Sequence, residues 1–113
     1  MTSMNNFFEI SDGVLTRCDK EASGHIIIPD SVTEIGDYAF GFCGSLESIT
    51  IPARVEKIGK GIFKFCDSLV SISVSHDNQV YDSRDNCNAI IETATNKLVA
   101  TCKSTVVPDG VSM

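Results

Sequence analysis

The chain has 113 residues, 42% of them hydrophobic, with 15 acidic against 9 basic residues and a formal net charge of −6. This length fits one small domain rather than two cores. Neither sign of charge forms a long run, which argues against nucleic acid and anionic membrane, since both are bound through clustered Lys and Arg.

Residues Met1 to Gly13 lack the basic start and the apolar core of about 7 to 15 residues that mark a secretion signal. No export address is visible in the chain as written. No segment approaches the length needed to span a bilayer, so membrane insertion is not expected. The cysteines Cys18, Cys43, Cys66, Cys87 and Cys102 are odd in number and cannot all pair within one chain. A reduced interior is the simpler expectation.

Residues 1–6 are polar and expected to fray. From Phe7 to Ile28, apolar Phe8, Ile10, Val14 and Leu15 surround the turn signal Ser11-Asp12-Gly13. Polar residues from Asp19 to Gly24 then lead into His25-Ile26-Ile27-Ile28. Residues 1–27 therefore read as a β-hairpin-like cap that ends in the first short strand of a stack.

The next two segments, 28–50 and 51–73, are one sequence written twice. Laid over each other without a gap, they match at 12 of 23 positions, including Pro29/Pro52, Val32/Val55, Ile35/Ile58, Phe40/Phe63, Phe42/Phe65, Cys43/Cys66 and Leu46/Leu69. A fixed period with recurring apolar anchors predicts a solenoid, in which each repeat buries its edge on its neighbours. Alternation at Ile49/Ile51 and Ile72/Val74 predicts strands, with Thr50 and Ser73 facing away from the core. Phe40, Phe42, Leu46 and their counterparts are expected to fill the space between the walls. The positions that differ, among them Asp37, Tyr38, Gly41, Lys60 and Lys64, are where specificity within the duplication would lie.

The period then breaks. Val106-Val107-Pro108-Asp109-Gly110-Val111 repeats Ile27 to Val32 only at an offset of 79. Between them, Ala89 to Thr93 and Lys97 to Thr101 flank Ala94-Thr95-Asn96, which predicts a hairpin with Asn96 in the left-handed turn position. The third coil, residues 74–107, is thus expected to carry a β-hairpin insert. Parallel strands would be centred on Ile27, Thr50, Ser73 and Val106, giving about four rungs. Residues 108–113 read as the truncated start of a further repeat. An apolar edge left open there predicts self-association through the C-terminal coil.

The pattern IPxSVxxIGxxAFxxCxSLxSIxIP over Ile28 to Pro52 closely resembles the BspA-like leucine-rich repeat. The stretch Tyr81 to Thr93 is similar to the hairpin insert found between such repeats. The resemblance implies a single mainly-β leucine-rich-repeat solenoid spanning residues 1–113. It also implies a bacterial, secreted or surface-attached protein that binds or adheres to other proteins without catalysing a reaction. The alternative is a structural segment of a longer array, with no activity of its own.

Chemistry is weakly signalled. Cys43 and Cys66 share a repeat position and should lie roughly 5 Å apart on adjacent coils. They read as a buried reduced ladder, with a disulfide or a metal pair as the alternative. Cys87 and Cys102 flank the hairpin and either face each other or stay free, and Cys18 has no evident partner. No CxxC spacing suggests zinc, and Asp77, Asp82, Asp85 and Asn86 do not match a calcium loop. His25 and His76 lack a partner at a telling offset. No catalytic, cofactor-binding or metal-ligating residue is therefore expected. The candidate partner-binding residues are Ser48, Thr50, Ser71 and Ser73 on the strand face, with Tyr81 and Arg84 in the insert loop. The expected partner is a protein.

Overall fold

A computed structural model of the chain describes residues 8–112. Phe7 and the expected fraying of residues 1–6 lie outside the described residues. Ten strands are present: β1 (Phe8–Ser11), β2 (Val14–Cys18), β3 (Gly24–Ile27), β4 (Glu34–Ile35), β5 (Leu46–Ile51), β6 (Lys57–Ile58), β7 (Ser71–Val74), β8 (Tyr81–Asp82), β9 (Ala89–Glu92) and β10 (Lys97–Thr101). A short 3-10 turn covers Arg84–Asn86, and the described residues hold no α-helix.

Strands β1 and β2 form an antiparallel hairpin. Its turn residues Asp12 and Gly13 both have positive φ, at 50° and 80°, the combination that matches the natural twist of paired strands. The second strand then starts a parallel ladder, β2-β4-β6, in which Leu15 pairs with Ile35 and Ile35 with Ile58. A second parallel ladder, β3-β5-β7, runs along the other wall with the 23-residue period as its register. Ser48 pairs with Ser71, Ile49 with Ile72, Thr50 with Ser73 and Ile51 with Val74.

The core lies between the two ladders. Ile26, Ile28, Ile49, Ile51, Ile72 and Val74 point inward from one wall, Leu15 and Ile35 from the other, with Phe40, Leu46 and Leu69 between them, all buried. Alternation along each strand places the intervening side chains outside. The wall-to-wall crossing starts at proline, which has no amide hydrogen for the ladder. Its carbonyl then closes a turn, accepting the Val32 N–H at 3.1 Å on Pro29 and the Val55 N–H at 3.5 Å on Pro52.

Two expectations about packing need correction. Phe42 and Phe65 do not fill the core: they are 66% and 54% exposed, while Phe40 is fully buried. Their backbones have φ of 64° and 61°, so the chain reverses there and turns the ring outward. A strand-like reading of Phe40-x-Phe42 would have put both rings on one side.

Nor does the described structure contain a fourth parallel strand at Val106. Residues of the insert occupy the outer edge of β7 instead. The Ile72 N–H donates to Asn88 Oδ1 at 3.4 Å and the Val74 N–H to Ser83 Oγ at 3.0 Å. Strand edges are commonly covered in this way to block further pairing. The Val106 N–H goes to the Cys87 carbonyl.

The insert instead starts the cap arrangement again. β9 and β10 pair antiparallel, with Asn96 at φ 59° in the connecting turn. Lys97 at the start of β10 bridges in parallel to Ser112, as Val14 at the start of β2 pairs in parallel with Glu34. The proline turn recurs as well, with the Val111 N–H on the Pro108 carbonyl at 3.3 Å.

Candidate functional site

The strand face carries four of the six candidate residues, and the parallel register brings them together. Ser48 and Ser71 form one cross-strand pair and Thr50 and Ser73 the next. The Thr50 and Ser73 hydroxyls are 3.2 Å apart and hydrogen-bonded. Sequence reasoning missed His25, which lies in β3 within the same row. Its Nδ1 is hydrogen-bonded to Ser48 Oγ, and its Nε2 stands 3.5 Å from Thr50 Oγ1. The only signal available was its register: His25 precedes Ser48 by one repeat period. Ile27, 65% exposed, continues the row of Thr50 and Ser73. The outcome is a narrow patch of hydroxyls and one imidazole, with side-chain spacing set by the backbone.

Tyr81 and Arg84 are placed differently from the expectation. Tyr81 is 6% exposed, so its ring is part of the core and does not offer a contact surface. Burial raises the pKa of its hydroxyl. Arg84 is occupied within the chain. Its guanidinium grips both carboxylate oxygens of Asp82 at 2.8 Å, and its Nη1 donates to Asn96 Oδ1 at 2.8 Å. Thr93 Oγ1 adds a 2.6 Å bond to Asp82 Oδ2. Together these tie β8 to the β9–β10 turn. Paired geometry of this kind is the strong form of an Arg–carboxylate contact.

That clamp has a pH signature. The Arg84 guanidinium holds the Asp82 carboxyl at about 2, below its ordinary value of 3.8. A depressed carboxylate contributes stability above its unfolded pKa and loses it as pH falls through the folded value. The native chain should therefore melt a few degrees above Asp82→Asn at about pH 5, and the gap should close by about pH 2. Thermal scans of both proteins across this window check it, and a gap unchanged at low pH would contradict the clamp.

Thiol chemistry finds little support. All five cysteines are free. Cys18, which lacked a partner in the sequence, joins the ladder of Cys43 and Cys66. The Cys43 thiol is 3.8 Å from the Cys18 carbonyl, and the Cys66 thiol donates to the Phe40 carbonyl at 3.0 Å. The contact between Cys18 and Cys43 pushes the Cys18 thiol well up and the Cys43 thiol down, and burial pushes Cys66 to about 11. Protonated thiols are poor nucleophiles. Cys87 and Cys102 pack in different places: Cys87 with Ala89 and Ile91 in a small cluster, Cys102 against the main core. Among the described residues, no group of three or more His, Cys, Asp or Glu side chains is arranged to hold a metal, and no helix is long and apolar enough to cross a membrane.

A face of in-register hydroxyls on stacked parallel strands defines a repeat protein. The chain belongs to the BspA-type leucine-rich-repeat family, whose six-copy profile matches residues 2–105. Among solved structures it is similar to a leucine-rich repeat protein from Eubacterium ventriosum, at 25% identity and a TM-score of 0.67, over 77% of this chain and 24% of that one. It is also similar in fold to the pneumococcal vaccine antigen PcpA, at 21% identity and a TM-score of 0.57, over 80% of this chain and 29% of that one. The chain thus spans about a quarter of the length of the structures it resembles. No curated protein sequence matches it.

Proposed function

We propose that this chain is a leucine-rich-repeat solenoid that acts as a non-enzymatic, protein-binding or adhesive module of a bacterial surface protein. The observation that carries the reading is the in-register row of Ser48, Ser71, Thr50 and Ser73, extended by His25 and Ile27, on the outer face of β3-β5-β7. Backbone pairing fixes these side chains before any partner arrives, which lowers the entropy lost on binding. The elongated shape, 46 × 27 × 21 Å, offers this face as an open side. Membership of the family and likeness to the E. ventriosum protein support the reading.

Placing charge and bulk on the face tests it. The chain and a Thr50→Arg/Ser73→Arg variant would be immobilised and exposed to a panel of purified extracellular matrix proteins. Retention of one panel member at micromolar concentration, reduced at least about tenfold in the variant, is the expected result. No retention, or retention indifferent to the substitutions, would count against the strand face. A second reading, a building block of a longer array with no activity of its own, is favoured by the greater length of the matched structures. It predicts that no panel member is retained by either protein.

A further inference from the structure

The turns that carry Phe42 and Phe65 are built in a way that packing does not explain. Both residues have positive φ, as does Tyr38 at 57°. This region is disfavoured for side chains with a Cβ and most of all for bulky ones. In the insert the same conformation is assigned to Asp85, Asn86, Asn88 and Asn96, the residue types that tolerate it. In the repeats it is assigned to aromatics whose rings point into solvent, with Phe42 66% and Phe65 54% exposed.

The two exposed phenylalanine rings nevertheless meet each other. Phe42 and Phe65 stack with centroids 5.0 Å apart and an interplanar angle of 23°. Lys64 Nζ lies 5.6 Å from the Phe65 centroid, a cation–π contact at that end. Tyr38 lies over Gly61, where an added Cβ would collide with its ring, so the second repeat has given up the tyrosine at this position to seat the first.

On the side away from Phe65, the aromatic column stops. There Phe42 borders a depression of about 460 Å³ between the first repeat and the end of β2, lined also by Thr16, Arg17, Lys20, Tyr38 and Gly41. No carboxylate lines it, although the whole chain carries a net charge of −6. The nearby Asp19 carboxylate accepts the Glu21 N–H within its own turn. This is the place that the ring of a preceding repeat would take, and the cap supplies two cations there instead.

We propose that this depression is a second binding site, which receives an aromatic side chain from an exposed acidic segment of a partner protein. The incoming ring extends the column by stacking on Phe42, while carboxylates on either side of it meet Arg17 and Lys20. Aromatic pairs of this geometry attract beyond their buried area, and opposite charges at a partly desolvated rim both steer and select. A neutral carbohydrate would make no use of the charges of Arg17 and Lys20, which line the depression beside the half-exposed rings of Phe42 and Tyr38. The site goes beyond the strand-face reading and stands or falls separately from it, because it uses none of the same residues.

The probe is a short, labelled peptide with one tryptophan set among aspartates, titrated into the whole chain and followed by fluorescence anisotropy. Three changes should each weaken binding at least about tenfold: tryptophan to alanine in the peptide, Phe42→Asn in the protein, and the double change Arg17→Glu/Lys20→Glu. Thr50→Arg/Ser73→Arg should leave the peptide affinity unchanged. Asparagine tolerates left-handed backbone, so Phe42→Asn should keep the native circular dichroism and melting behaviour. Four results would overturn the proposal: equal binding of the alanine peptide, no effect of Phe42→Asn, tighter binding of a glucuronate oligosaccharide than of the peptide, or self-association abolished by Phe42→Asn. The last would make the occupant a second copy of the chain.

Discussion

Replacing Phe40 by alanine should destabilise the protein by about 3 to 5 kcal/mol, whereas Phe42→Asn, two residues later, should change stability by less than about 1 kcal/mol. Phe40 is fully buried and lies 5.8 Å from the Phe63 ring, between the two ladders. Truncation there removes apolar contact and leaves a cavity that the flanking strands cannot close, because their spacing is held by backbone hydrogen bonds. At Phe42 two small effects oppose each other. Losing the stack with Phe65 costs about 0.5 to 1.5 kcal/mol. Asparagine, which tolerates left-handed backbone better than phenylalanine, returns part of the roughly 1 to 2 kcal/mol that this conformation costs. Urea denaturation of the two variants separates the cases. Similar losses for both would mean that the Phe42 ring is packed as the core is.

The second large effect is expected at Asn78, whose side chain fastens the insert to the second repeat. Its Nδ2 donates to the carbonyls of Pro52 at 2.9 Å and Val55 at 3.1 Å, and its Oδ1 accepts the N–H groups of Val80 and Tyr81, both at 2.8 Å. All four capacities of the amide are used. Asn78→Ala should cost about 2 to 4 kcal/mol, since it removes the bonds and leaves partly buried backbone groups without partners. Asn78→Asp keeps the acceptor but turns a carboxylate on two carbonyl oxygens, and should be at least as damaging at neutral pH. Hydrogen exchange gives the local readout, with protection at Val80 and Tyr81 falling before that of Ile49 and Ile72. A loss below about 0.5 kcal/mol would show that the insert is held in some other way.

Neither result is legible from residue types alone. Asn78 sits in a polar stretch of ordinary loop composition, and its importance arises from two carbonyls more than twenty residues away. Tyr81 read as a loop residue available to a partner, but the fold turns it inward beneath the second repeat. Arg84 read as a candidate partner-binding residue and is held by Asp82 two residues before it, a pairing within reach of sequence reasoning had spacing been weighed against exposure. Cys18 escaped notice because it precedes Cys43 by 25 residues and not 23. The cap reaches the same position in the stack by a path of different length. His25 was passed over for lack of a charged neighbour, when the relevant neighbours were hydroxyls one repeat away.

The sequence by itself determined the repeat, its register and most of its core. In stacked parallel strands the same position must meet the same position, so burial writes its requirement into every period. It also determined the family and the outward direction of Thr50 and Ser73. Only the tertiary structure decided that the β3-β5-β7 ladder ends at β7, because this depends on side chains of Ser83 and Asn88 in the insert reaching its edge. It decided equally that Phe42 and Phe65 face solvent. Apolar composition predicts burial, but the sign of one backbone angle sets the direction of a side chain, and that sign is fixed by the surrounding turn.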